Sequence, residues 1–193
     1  MKFRKAAECT PVVAARAGLA RTFQNLRLMG SATVAENIRS VVKGESRPGL
    51  LASMFKLPSF LRYEKFVNSE VQNVLDQLEL SEYANRRADC LAYGLQRRVE
   101  IARALATKPK VLLLDEPAAG LNPSESQRLL ELVKEISSSG ITVLLIEHDM
   151  SVVMALSDRI IVLHHGEKIA EGTPDEVRRN PEVIKAYLGS ATV

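Results

Sequence analysis

The sequence predicts an α/β fold: a parallel sheet with helices on its faces. Three observations carry this. A continuous apolar run, Val111-Leu112-Leu113-Leu114, and a mostly apolar one, residues 141–146, flank an amphipathic segment. Each run ends in charged residues, Asp115-Glu116 after the first and Glu147-His148-Asp149 after the second. Strand, helix, strand with short loops is the grammar of a parallel sheet, because parallel neighbours need a crossover between them.

In chain order, Leu19-Ala20-Arg21-Thr22-Phe23 is a short candidate strand with a weak pattern. Thr33 begins a helix as N-cap, and Glu36 three residues on completes a capping box. Residues 43–61 contain Gly44, Pro48, Gly49 and Pro58 and read as a loop-rich insertion with scattered apolar anchors. Val67, Val71, Val74, Leu75 and Leu78 then follow helical spacing. Another helix is expected after Gly94, running to about Thr107, where Lys108-Pro109 stops it. Residues 111–114 read as a strand buried on both faces. Asn122-Pro123-Ser124-Glu125 is a helix start, with Asn122 as N-cap and Pro123 in the first position. Leu129, Leu130, Leu132, Val133 and Ile136 give that helix its apolar face before the stop at residues 137–140. Residues 141–146 form the next buried strand, followed by a short helix from Ser151. Residues 159–163 and 168–170 flank His165-Gly166-Glu167 as a hairpin. Thr173-Pro174-Asp175-Glu176 and Asn180-Pro181-Glu182 repeat the helix-start chemistry.

Composition removes several classes. A chain of 193 residues with 46% hydrophobic and 25% charged side chains can bury a core and resembles soluble globular proteins. The net charge of +3 is small and scattered, with no basic stripe interleaved with aromatics, so no nucleic-acid partner is expected. Cys9 and Cys90 are far apart and fit a reduced, cytosolic setting. Lys2, Arg4 and Lys5 precede no long apolar run, so no signal peptide is expected. No stretch approaches the roughly 18 apolar residues of a membrane span. Any membrane contact is expected to run through partner proteins.

The chemistry gathers at strand ends. Parallel sheets bind ligands at their carboxyl edge, where Asp115, Glu116 and His148 fall. An acidic pair closing an apolar strand suits a Mg²⁺-nucleotide site, with one carboxylate near the metal and one near the attacking water. An ordinary acidic turn is the other reading of that pair. Upstream, Leu91-Ala92-Tyr93-Gly94-Leu95-Gln96-Arg97-Arg98 is a Gly-containing turn feeding a helix, whose N-terminus can hold an anion. Taken alone, it reads equally as a plain helix cap.

Together these segments resemble the motifs of ABC ATPases. Leu91 to Arg98 looks like the signature, Leu112-Leu113-Leu114-Asp115-Glu116-Pro117 like Walker B, Gly120-Leu121-Asn122-Pro123 like the D-loop, and Ile146-Glu147-His148-Asp149 like the H-loop. Arg21-Thr22-Phe23-Gln24 is similar to the Q-loop. The wording of these motifs, and the ending Asn180-Pro181-Glu182-Val183-Ile184-Lys185-Ala186-Tyr187-Leu188-Gly189, is similar to the ATPase subunit of branched-chain amino-acid importers. The resemblance implies a P-loop NTPase fold with a helical subdomain. Residues 1–24 would be a remnant of the nucleotide-binding core, 25–107 the helical subdomain, 108–173 the α/β core and 174–193 a helical tail. It also implies ATP and Mg²⁺ as ligands. Gln24 would sense the γ-phosphate and Mg²⁺, Asp115 would hold Mg²⁺ through water, and Glu116 would be the general base. His148 would contact the γ-phosphate. Ala92, Tyr93 and Gly94 would complete the nucleotide site of a second ATPase subunit, and Asn122 would lie at the interface between the two. Two membrane permease subunits, and indirectly a periplasmic binding protein, would complete the assembly at the cytoplasmic face of the plasma membrane. His164 and His165 match no motif.

Ala92 stands where the signature usually has Ser, and Leu95 where it usually has Gln. A larger departure is the phosphate loop. The family's Gly-x-x-x-x-Gly-Lys-Ser/Thr, whose backbone N–H groups and Lys cradle the phosphates, precedes the Q-loop glutamine by some forty residues. Only 23 residues precede Gln24, and Gly18 is their single glycine. The expectation is therefore an N-terminally truncated chain that does not bind or hydrolyse ATP at its own Walker B side. In that case 111–114 would lose a sheet neighbour and expose apolar surface. The alternatives are a non-catalytic subunit that completes a partner's ATP site, and a non-functional fragment. Tandem cassettes and coiled-coil insertions, which mark DNA-repair and translation members of the family, do not occur.

Overall fold

The computed structural model describes residues 10–22, 26–44 and 48–188; Gln24 lies outside them. The chain divides into two compact units, 1–146 and 147–193.

In the first unit three parallel strands run in the order β1 (Leu19–Arg21), β2 (Val111–Asp115), β3 (Thr142–Ile146). Leu19 pairs with Val111, and Val111 with Thr142, so the carboxyl ends of all three strands lie along one edge. The short helix α1 (Pro11–Arg16) leads into β1. The crossover from β2 to β3 is α6 (Pro123–Ser138), started by the expected capping box: Asn122 accepts from the Glu125 N–H at 2.9 Å, and Glu125 accepts from the Asn122 N–H. α6 buries Leu129, Leu132, Val133 and Ile136 and packs on β3, while Leu112 and Leu114 of β2 are fully buried.

Two strand expectations need correcting. Residues 111–114 do not lose a sheet neighbour, because β1 and β3 pair with β2 on both sides. The exposed apolar surface falls instead on β3, where Leu144 and Ile146 are about half exposed. β3 is an edge strand, and because successive side chains point to opposite faces only its alternate residues meet α6.

The helical part joins α2 (Val34–Arg39), α4 (Pro58–Gln77) and α5 (Tyr93–Leu105) around Val34, Ile38, Val71, Leu75, Val99 and Ile101. Thr33 and Glu36 form the expected capping box. Asn37 is fully buried, and its amide ties down the preceding loop by accepting from the Met29 N–H and donating to the Met29 and Thr33 carbonyls. Residues 43–61 are less loop-like than the sequence indicated. Pro58 begins α4 instead of breaking it, since a proline in the first turn loses no helical hydrogen bond. The short helix α3 (Leu50–Met54) precedes it.

The second unit holds α7 (Met150–Leu156), the antiparallel hairpin of β4 (Ile160–His164) and β5 (Glu167–Gly172), α8 (Pro174–Arg178) and α9 (Pro181–Leu188). Its core is Ile160, Val162, Ala170, Val177 and Val183. The hairpin turns at His165 and Gly166, both at positive φ, which matches the right-handed twist of the strands. This gives His165 a turn role, while His164 ends β4. No helix among the described residues is long and apolar enough to cross a membrane.

Candidate functional site

The carboxyl edge of the sheet is built from three strand ends. Register places Arg21 of β1 beside β2, and its guanidinium donates to the Asp115 carboxylate at 3.0 Å. The buried Thr22 donates its N–H to the Leu113 carbonyl, carrying the pairing one residue past β1. Asp115 therefore ends β2 with a cation already against it and its side chain about one-fifth exposed. A divalent ion bound through water needs only one or two carboxylates besides phosphate oxygens, and Asp115 fits that requirement.

Glu116 follows at φ 45°, a left-handed backbone that non-glycine residues adopt at a cost of order 1–3 kcal/mol. Its N–H donates to the Ile146 carbonyl at 2.9 Å, which locks the turn against the end of β3. Backbone strain of this kind is held only where the surrounding structure over-determines it.

A second cluster forms where α5 begins. Tyr93 packs its ring edge on Gly120, where a Cβ would stand 3.3 Å away, and Gly120 itself has φ 77°. Gly94 lies against Glu125, where a Cβ would meet a carboxylate oxygen at 2.9 Å. The Gly-containing turn at residues 92–94 is thus seated on the loop that leaves β2 and on the cap of α6. Ala92 and Gly94 border a recess of about 690 Å³ that Glu79, Arg98 and Glu125 also line. The Asn122 side chain is committed to capping, accepting from Ser124 and the Glu125 N–H.

At the rim of the recess Glu79 bridges two elements: Arg128 of α6 donates to it twice, and Arg98 of α5 pairs with it at 3.2 Å. Hydrogen bonds from Arg128 hold the Glu79 carboxyl below its ordinary value of 4.5. The unfolded chain then binds this proton more tightly than the folded one. The stability contributed by Glu79 is complete above pH 4.5 and lost as pH falls through the lower folded value. Thermal melts taken at falling pH should show an acid limb in the native chain that Glu79→Gln makes shallower.

His148 lies in the second unit, in the two-residue link ahead of Asp149. Asp149 caps α7 by accepting from the Ser151 N–H and hydroxyl, and these bonds, the hydroxyl foremost, hold its carboxyl below the usual aspartate range.

Two contributors escaped sequence reasoning. Arg21 reaches Asp115 only through the β1–β2 register, for which no local pattern exists. Arg97 is 2% exposed and binds Glu100 at 2.9 Å and the Tyr93 hydroxyl at 2.9 Å. The helical spacing of Tyr93, Arg97 and Glu100 was a usable signal for that chain of contacts.

Comparison with known proteins bears on this geometry. A family model described as ABC transporter matches residues 4–119, and one described as branched-chain amino acid ATP-binding cassette transporter matches residues 167–192. The high-affinity branched-chain amino acid transport ATP-binding protein BraF of Pseudomonas aeruginosa is 49% identical over 178 residues, covering 92% of this chain and 70% of its own length. A probable counterpart in Methanocaldococcus jannaschii is 36% identical, over 89% of this chain and 68% of its own. Among solved structures, an ATP-binding cassette of an ABC transporter in its ADP conformation superposes with a TM-score of 0.73 at 34% identity, covering 93% of this chain and 72% of that one.

Proposed function

The chain belongs to the ABC transporter family of ATP-binding, ATP-hydrolysing subunits, and on that premise we propose that it drives import of branched-chain amino acids. Identity of 49% to a protein named for that transport supports the substrate class. The observation that carries the mechanism is Asp115-Glu116 at the shared carboxyl edge of three parallel strands, with Glu116 held in a strained turn.

In this reading Asp115 would hold Mg²⁺, which when bound would supply neutralisation of charge on the transferring phosphoryl group. Glu116 accepts the proton of the attacking water or orients it, His148 and Gln24 contact the γ-phosphate, and Gln24 also senses the metal. Ala92, Tyr93 and Gly94 serve the nucleotide of a second ATPase subunit, and Asn122 fixes the D-loop-like turn beside them. Residues 25–107 form the helical subdomain, set between an N-terminal portion of the nucleotide-binding core (1–24) and the α/β core of residues 108–173; 174–193 form the tail. Two permease subunits carry the solute, fed by a periplasmic binding protein, and the ATPase sits peripherally on the cytoplasmic face of the membrane.

These 193 residues contain no Gly-x-x-x-x-Gly-Lys-Ser/Thr sequence. By themselves they lack the backbone cradle on which phosphoryl transfer depends. A second reading is a subunit whose signature turn completes a partner's site. Three measurements bear on the readings. The assembled transporter in proteoliposomes should hydrolyse ATP faster when its binding protein carries leucine, isoleucine or valine; no response to these sinks the substrate proposal. The 193-residue polypeptide alone should show no ATP-dependent thermal shift. ATP-dependent pairing with an intact paralogue, without turnover on this chain, would favour the second reading.

A further inference from the structure

We propose that the apolar tip made by α3 and the start of α4 inserts into the interfacial layer of an anionic membrane. This contact is independent of any permease and goes beyond the function proposed above. Six large apolar side chains within residues 50–61 stand in water: Leu50, Leu51, Met54, Phe55, Leu57 and Leu61, with Leu50 91% and Met54 77% exposed. Soluble surfaces rarely concentrate apolar side chains in this way without a partner or a membrane to cover them.

The tip is held on a firm base. The far half of α4 is fixed by Val67, Val71, Val74 and Leu75 in the core. Near the tip, Arg39 of α2 clamps Glu64 at 2.5 Å and Asn68 at 2.6 Å. The Tyr63 ring lies so close to Gly44 that a Cβ there would be 2.4 Å from it, leaving no room for a larger residue. The apolar residues therefore project because their base is fixed, and they do not fold back.

Charge selects the occupant. Lys56, Arg62 and Lys65 are exposed around the tip. Glu64 is the only acidic residue between 50 and 66, and it is spent on Arg39. Leu, Met and Phe at the apex with Lys and Arg at the collar is the composition of segments that lie in the headgroup boundary of anionic bilayers. A second copy would set one basic collar against another. A protein socket would be expected to meet Tyr, Trp or Arg anchors at the centre of the patch, and the apex has none of them.

The chain contains no tryptophan. Phe55→Trp therefore adds a single fluorophore at the apex, and far-UV circular dichroism checks that the fold is kept. The full chain is mixed with vesicles of phosphatidylcholine alone, or of phosphatidylcholine with phosphatidylglycerol. The indole emission should shift to the blue, and the chain should float, with the anionic vesicles only, and less at high salt. Lys56→Glu in that background should weaken partitioning by at least about fivefold, the worth of one basic residue near an anionic surface. Leu51→Asp with Met54→Asp should abolish it. Four results would overturn the proposal: no shift with anionic vesicles, an equal shift with neutral ones, a shift without lipid that grows with protein concentration, or a shift that appears only when permease subunits are added. None of these readouts involves nucleotide or transported solute, so failure here leaves the transport reading standing, and the reverse also holds.

Discussion

Arg97→Ala is expected to destabilise the first unit by about 3–5 kcal/mol, the usual consequence of removing one member of a buried ion pair. Both partners are almost fully buried, with 2% of the Arg97 side chain exposed and 7% of the Glu100 side chain. Truncation leaves the Glu100 carboxylate in a poor dielectric and removes the guanidinium that holds the Tyr93 hydroxyl and lies 5.6 Å from its ring centre. Tyr93 is the side chain that seats on Gly120, so the loop after β2 should loosen as well. A urea titration followed by circular dichroism should show the loss as a lower midpoint. The melting temperature should fall by roughly 10 °C. Arg97→Met combined with Glu100→Leu removes both charges and should recover most of the loss, because an apolar pair of similar volume can replace a buried ion pair. If the double variant were as unstable as the single one, packing by the arginine stem, and not the stranded carboxylate, would be the cause.

The contrast between what sequence revealed and what it hid follows the range of the interactions. The caps at Thr33, Asn122 and Thr173 and the apolar period of α6 are written within a few consecutive residues, and they form as read. The placement of β2 between two strands, the open face of β3 and the pairing of Arg21 with Asp115 depend on register between segments some thirty to ninety residues apart, which no window reveals. The apolar residues of α3 were read as scattered anchors because hydrophobicity alone does not distinguish a buried leucine from one that projects. For the site, residue types and order pointed to Asp115, Glu116 and the Gly94 turn. The strained φ of Glu116 and the seating of Tyr93 and Gly94 on residues 120–125 are geometric facts, and they had no counterpart in the sequence pattern.

Glu116→Gln should lower ATP turnover of the assembled transporter by about 10²–10⁴-fold, the usual worth of a positioned general base. Folding stability should change far less, because glutamine keeps the size of the side chain and the backbone N–H bond to Ile146 remains. Glu116→Gly separates the two roles of the position. Glycine adopts a φ of 45° freely, so relief of strain outweighs its greater freedom in the unfolded chain, and the variant should gain about 1 kcal/mol. Its turnover should nevertheless be as low as that of Glu116→Gln. Higher stability with lost turnover is what a strained functional residue predicts. An acidic turn with no part in the chemistry predicts the same gain in stability with turnover intact. Equal turnover in the native protein and the glycine variant would therefore remove Glu116 from the chemistry, and with it the main support for reading the strand edge as the hydrolytic site.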